Sequence, residues 1–292
     1  GIIIAIALVY FLVVVNFQNW LDPLIIISAL PAAEAAKARE AFSRLMAFDG
    51  KLSPTSADAA IYELFLQESM KQIFLDELGP ESSPAWKAFV ANGDLSYAAQ
   101  ADHLLGREDS PFWDDVNTTD RREDKWDIVA RTLAMSWQLG LFQLSADPAN
   151  WRWGKIHTYT WESGSTKMKP FLPTVPAMVV GMLGRYLDRG PFPAPGSTNT
   201  VNVAGYTIGD GFKVWNVPAM RMVVDFSQPE PLQLVIAGGQ SGNPASRHYD
   251  DGIPLYLSGK NRPLAFHDPV QVSQQFNRTL VLKPATASGQ PE

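Results

Sequence analysis

Fourteen consecutive residues, 238–251, gather the side chains best suited to chemistry and read GGQSGNPASRHYDD. Ser241 offers a hydroxyl nucleophile and His248 a base seven positions later. Asp250 and Asp251 offer carboxylates that could orient that base or bind a metal ion. Each sharp reading meets an obstacle. A hydrolase elbow needs Gly-x-Ser-x-Gly, whereas Gly239-Gln240-Ser241-Gly242 puts Ser241 one residue out of register. A phosphate loop needs a Lys after its last Gly, and none follows here. Imidazole and carboxylate together suit zinc or calcium, but two adjacent Asp on a strand point to opposite faces. No His-Glu-x-x-His or EF-hand pattern occurs, so no metal site is expected. Against these stands a structural reading. The glycines let the backbone turn tightly and approach a neighbouring strand. Gln240, Ser241, His248, Tyr249 and Asp250 then form a pocket wall or a buried hydrogen-bonded network after the turn.

A second candidate is His157, set among Trp151, Trp153, Tyr159 and Trp161. On a strand these odd-numbered residues would share one face. His157 reads as a base at the edge of an aromatic cleft or as a satisfied core histidine. His103 and His267 have no supporting company.

The elements that must position these groups change character near residue 150. Before it the periodicity is helical. Residues 32–48 place Ala35, Phe42, Leu45 and Met46 on one face, and Asp49-Gly50 ends that helix. Ser53-Pro54 predicts the next helix start, with Ser53 as cap, Pro54 in the first turn and Asp58 at the positive end of the dipole. Ile61, Leu64, Phe65 and Ile73 lie near one face of it. Shorter helices are expected over 84–90 and 95–105, then a polar loop over 106–115. A long amphipathic helix follows over 120–142, with Trp126, Val129, Ala130, Leu133 and Trp137 as its buried stripe. After residue 150, short β runs broken by Gly and Pro are expected at 156–161, 200–206, 213–217, 220–226, 232–237 and 279–282. Helices first and strands later predict an α+β fold. The chain divides into an apolar segment over 1–34, a helical region over 35–150, a β-rich region over 151–283 and a flexible tail over 284–292.

Composition removes whole classes of function. The 292 residues are 46% hydrophobic and 18% charged, as in a globular protein able to bury a large core. A net charge of −6 and the absence of any Lys/Arg run argue against a nucleic-acid partner. There is no Cys, hence no disulfide, thiol nucleophile or thiolate metal site. The apolar run 2–15 is shorter than the roughly 20 residues a spanning helix needs, so membrane insertion is not expected. Its status stays open between a core element, a mistranslated end and an anchor.

Four segments, in order, resemble a known family. Trp151-Arg152-Trp153-Gly154-Lys155-Ile156-His157 looks like a Trp-x-Trp-Gly-x-x-His segment. Gly190-Pro191-Phe192-Pro193, Gly196 and Thr200-Val201-Asn202-Val203-Ala204 resemble Pro-Phe-Pro…Gly…Thr-Val-Asn. Phe48-Asp49-Gly50 resembles Trp-Asp-Gly, and the turn 238–251 completes the set. Together they resemble the C-terminal part of the large subunit of the penicillin acylases, which are N-terminal-nucleophile (Ntn) amidohydrolases. The resemblance covers roughly residues 41–264.

It implies an αββα Ntn fold, with the late strands returning to the central sheets. It also implies a bacterial periplasmic setting and hydrolysis of an acyl-amide bond, in a β-lactam side chain or an acyl-homoserine lactone. The family's nucleophile is residue 1 of its large subunit, whereas residue 1 here is Gly1. The expectation is therefore a truncated chain with no catalytic residue of its own and no cofactor. The missing small subunit and the N-terminal part of the large subunit would be its partners, and calcium belongs to the full-length relative. A non-catalytic binding or structural relic of an acylase is the alternative.

Overall fold

The computed structural model describes residues 30–93, 103–163, 177–265, 268–278 and 280–282. The apolar run 2–15, most of the helix expected over 95–105 and the tail over 284–292 lie outside the described residues. The fold is α+β, helical first and strand-bearing later. It separates into two compact units, Gly1–Pro218 and Ala219–Glu292.

The first unit is built on three helices, α1 (Ala32–Ala47), α2 (Ala57–Leu78) and α4 (Lys125–Gln143), with a shorter α3 (Pro84–Gly93) beside them. Helix α1 buries Ala35, Ala38 and Ala41, small residues that let α4 come close. Helix α4 lies between α1 and α2 and buries Ile128, Val129, Ala130, Leu133 and Trp137. Arg44 of α1 sits 5.8 Å from the Trp137 ring and 5.7 Å from the Trp151 ring, and pairs with Asp58 at 3.1 Å. Its guanidinium thus ties α1 to α2 and to the aromatic core at once.

Two helix starts differ from the sequence expectation, and both times a tertiary contact takes over. Helix α2 starts at Ala57 with Ser56 as its cap, not at Ser53-Pro54. The Pro54 carbonyl accepts the Gly154 amide at 2.8 Å, so it serves the core rather than a first helical turn. Helix α4 starts at Lys125, not near residue 120. Glu123 is held instead by the Asp114 side chain, which accepts its amide at 3.1 Å, and by Arg131 at 3.6 Å. Asp124 then caps α4, accepting from Trp126 and Asp127 while Asp127 reaches back to the Asp124 amide.

After α4 the unit is short-ranged. Strand β1 (Thr158–Trp161) pairs antiparallel with β2 (Arg189–Pro193), with Tyr159 opposite Phe192 and Trp161 opposite Arg189. Helix α5 (Ala177–Leu187) leads into β2. The strands expected over 200–206 and 213–217 are absent and only a bridge joins Gly205 to Asn216. The Thr200 hydroxyl explains the first loss: it accepts the Ser197 amide and lies 2.9 Å from the Asn202 carbonyl, closing a local turn.

The second unit is a three-stranded antiparallel sheet in the order β3 (Met220–Val224), β4 (Leu232–Ile236), β5 (Arg262–Pro263). Met220 faces Ile236, Val224 faces Leu232, and Leu234 faces Arg262. Val235 is its fully buried strand residue, and short helix α6 (Ile253–Leu257) covers β4 with Ile253 and Tyr256. Arg221 stacks 4.1 Å from the Tyr256 ring. Helix α7 (Pro269–Gln275) closes the unit. Residues 280–282 are not a strand. Among the described residues no helix is long and apolar enough to cross a membrane.

The Asp124–Asp127 box satisfies amide groups that α4 would otherwise leave orphaned at its start. Asp124→Ala is expected to lower stability by about 1 kcal/mol. Urea unfolding checks this, and a midpoint equal to that of the parent would refute it.

Candidate functional site

The two sequence candidates fall in different units and in different environments. His157 belongs to the first. The chain reaches it through a 3-10 turn, Trp153–Lys155, rather than along a strand. Residues 151 and 153 therefore precede β1 instead of continuing its face. The imidazole is fully buried, stacked on Trp153 at 4.3 Å, with the Tyr206 ring 5.9 Å away edge-on. Its Nδ1 lies 2.7 Å from the Phe212 carbonyl. A carbonyl only accepts, so Nδ1 carries the proton and Nε2 the lone pair. Nε2 is buried without a hydrogen-bond partner. Burial drives the His157 pKa down to about 4, with the Phe212 carbonyl opposing weakly. At neutral pH the ring is uncharged, sealed and out of reach of a substrate.

Three of the four family-like segments converge here. The Trp153 indole donates to the Gly196 carbonyl at 2.9 Å. The Ala194 amide donates to the His157 carbonyl at 2.9 Å, and the Gly196 amide to Leu52, two residues after Asp49-Gly50, at 2.8 Å. The Trp153 amide reaches the Ser56 carbonyl at 3.0 Å. These loose sequence matches are therefore one packed object.

The same core holds Glu63, which sequence reading missed. It lies on α2, is completely buried, and accepts from the Tyr206 hydroxyl at 2.7 Å through Oε2. Burial pushes its pKa up to about 7, against the Tyr206 and Ser197 hydroxyls, which favour the carboxylate. Oε1 has no partner in hydrogen-bonding geometry. A signal was present: Glu63 falls between Ala60, Leu64 and Gln67 on the buried stripe, where an acid needs a reason.

The 238–251 candidates belong to the second unit. Strand β4 ends at Ile236, and residues 238–252 are turns, bends and irregular loop, so Asp250 and Asp251 do not lie on a strand. The Ser241 amide donates to the His248 carbonyl at 3.0 Å and closes the loop. Gly239 sits inside it. A Cβ there would lie 2.1 Å from the His248 carbonyl oxygen and 2.4 Å from the Tyr249 carbonyl carbon. The constraint is space, because Gly239 does not adopt positive φ. Gly238 has open surroundings.

Ser241 and His248 do not form a nucleophile–base pair. The Ser241 hydroxyl accepts the Asn243 amide at 3.1 Å. His248 Nδ1 lies 2.8 Å from the Asp251 carboxylate, and its Nε2 accepts from the Arg247 guanidinium at 3.0 Å. The basic nitrogen is thus already occupied. The hydrogen bond from His248 holds the Asp251 carboxyl below its ordinary range. This pair is exposed, not buried as the sequence reading expected. Asp250 and Tyr249 are half-buried and serve the turn through the backbone: the Asp250 carbonyl accepts from Ile253, and the Tyr249 amide donates to Ser246. Gln240, Ser241, Ser246, His248 and Asp251 line one side of a 770 Å³ cleft. Among the described residues no three His, Asp or Glu side chains gather to hold a metal ion.

Comparison with known proteins decides the family. A model of the penicillin amidase family matches residues 9–271. The chain belongs to the penicillin amidase family. It is 52% identical over 260 residues to the acyl-homoserine lactone acylase QuiP of Pseudomonas aeruginosa, covering 89% of this chain and 30% of that protein. With the proteins of the same name from Pseudomonas fluorescens Pf0-1 and Pseudomonas putida, identity is 56% over 234 residues and 50% over 252. Those matches cover 80% and 86% of this chain but 26% and 28% of the relatives. The chain spans less than a third of the curated relatives it matches.

Two tests follow from the geometry. The raised Glu63 pKa gives stability that is complete below the unfolded value near 4.5 and is lost as pH rises through about 7. The lowered His157 pKa works the other way, present above 6.5 and lost as pH falls through about 4. Each shift corresponds to about 3 kcal/mol. Glu63→Gln keeps an acceptor for Tyr206 and removes one slope. The stability of Glu63→Gln minus that of the parent, from urea unfolding, is expected to rise by about 3 kcal/mol between pH 4.5 and 7.5. A flat difference would show that the buried carboxyl does not titrate as stated. In the turn, Gly239→Val is expected to cost well over 1 kcal/mol through backbone overlap, and Ser241→Ala under 1 kcal/mol. Equal losses in folded yield would contradict the steric reading.

Proposed function

We propose that this chain is the C-terminal scaffold portion of an acylase that hydrolyses the amide of N-acyl-homoserine lactones or related acyl amides. The carrying observation is the 52% identity to the Pseudomonas aeruginosa acyl-homoserine lactone acylase over 89% of this chain. On this reading the fold is the late part of an Ntn hydrolase, the setting is the periplasm, and the reacting groups lie elsewhere in the longer protein. The support is negative and positive together. Every serine–histidine candidate is committed to structure: Ser241 to Asn243, His248 to Asp251 and Arg247, His157 to the core. What the chain supplies is rigidity. Its family-like Trp and Gly segments lock helix α2 to the β1–β2 pair.

The test is a chimera. This chain replaces the matching segment of the Pseudomonas aeruginosa relative, and amine release from N-decanoyl-homoserine lactone is followed with a fluorogenic amine reagent. The chimera is expected to keep at least a tenth of the parent's rate, and the chain alone to release nothing. A folded chimera without activity would overturn the scaffold reading. Release by the chain alone, abolished in Ser241→Ala, would place the nucleophile in the 238–251 turn.

A further inference from the structure

The second unit carries a cleft of its own. Its floor is β4 and β5, contributing Leu234, Arg262 and Pro263. One wall is the 240–251 turn. The other is the end of α7, where Gln275 is clamped twice: its Oε1 accepts the Ala265 amide at 2.8 Å and its Nε2 donates to the Pro263 carbonyl at 3.2 Å. Those two hydrogen bonds hold the end of α7, and the next residue, Phe276, lines the cleft along with Leu264. At 770 Å³ the cleft has the size of a small-molecule pocket.

Its chemistry is divided. Leu234, Pro263, Leu264 and Phe276 make its apolar lining. Gln240 and the Ser241 and Ser246 hydroxyls, which also accept loop amides, form its neutral polar lining. Two charges line the space, and they are not equivalent. The Asp251 carboxylate is engaged by His248 at 2.8 Å. Arg262 feels Asp251 only at a distance, and among the described residues its guanidinium makes no hydrogen bond and no ion pair. A guanidinium presents a planar fork of donors that matches a carboxylate in two parallel hydrogen bonds.

We propose that this cleft binds a small amphiphilic monocarboxylate, its carboxylate on Arg262 and its hydrocarbon part along Leu234, Leu264 and Phe276. Phosphate-bearing ligands fit less well, because their larger negative charge meets Asp251, and Arg262 is the cation among the described lining residues that would offset it.

Calorimetric titration of the whole chain with octanoate, and with octyl alcohol of equal length, tests this below the micellar range of octanoate and the solubility limit of the alcohol. Octanoate is expected to bind at least tenfold more tightly than the alcohol. Arg262→Gln, checked for an unchanged melting temperature, should reduce octanoate to the level of the alcohol. Phe276→Ser should weaken both alike. No octanoate binding, equal binding of acid and alcohol, or full octanoate affinity in a folded Arg262→Gln variant would each overturn the proposal. The acid-versus-alcohol comparison in the unaltered protein decides the matter even if Arg262→Gln fails to fold.

Discussion

The first unit depends on one buried hydrogen bond, the Trp153 indole donating to the Gly196 carbonyl. An indole N–H has a single donor and no alternative partner in an apolar core, so leaving it unmade costs about 1–3 kcal/mol. Making it fixes where the loop after β2 crosses the 3-10 turn. That crossing sets the other contacts: Ala194 on His157, Gly196 on Leu52, Gly154 on Pro54. It also accompanies the late start of α2, since the Pro54 carbonyl is turned to the Gly154 amide while Ser56 caps the helix. A rule of local propensity yields here to a tertiary bond of greater worth.

Around that bond the core holds two ionisable groups whose protonation preferences oppose each other. Burial favours the neutral form of both. For Glu63 neutrality means holding a proton, for His157 releasing one. Tyr206 touches both, giving its hydroxyl to Glu63 and its ring edge to the imidazole. Their pH slopes offset across the mildly acidic range, so the core stays near constant in stability while neither group alone would. Displaced pKa values of this kind are also a mark of catalytic groups. The sealing of this pair from solvent argues for a structural role instead.

Most helices were legible in the sequence, and so were β1, β3 and β4, because period and punctuation are local. The boundaries that moved did so at Pro54, Glu123 and Thr200, where a distant or side-chain partner competes with the backbone ladder. Helices α5, α6 and α7 escaped notice: α6 and α7 run only five and seven residues, too short for periodicity to speak. The family-like segments were legible as words but not as one site, since 49–50, 151–157 and 190–204 meet only through the fold. Glu63 was legible only as an acid on an apolar stripe. Its meaning needed Tyr206, 143 positions away.

The 238–251 turn shows why residue type alone misleads about chemistry. Ser, His and Asp in one short stretch suggest a triad, yet each has a nearer obligation. The loop must stop β4, reverse and present α6 to Val235. Ser241, Asn243 and Ser246 spend their side chains accepting amides of the loop itself. Gly239 is required because the carbonyls of His248 and Tyr249, on the returning loop, occupy the place of its side chain. His248 is drawn off by Asp251 and Arg247. After those demands Arg262, across the floor, is the cation of the cleft without a hydrogen bond or ion pair among the described residues. Binding capacity therefore resides in a residue that no motif marks, and the motif that attracts attention serves to build the wall opposite it.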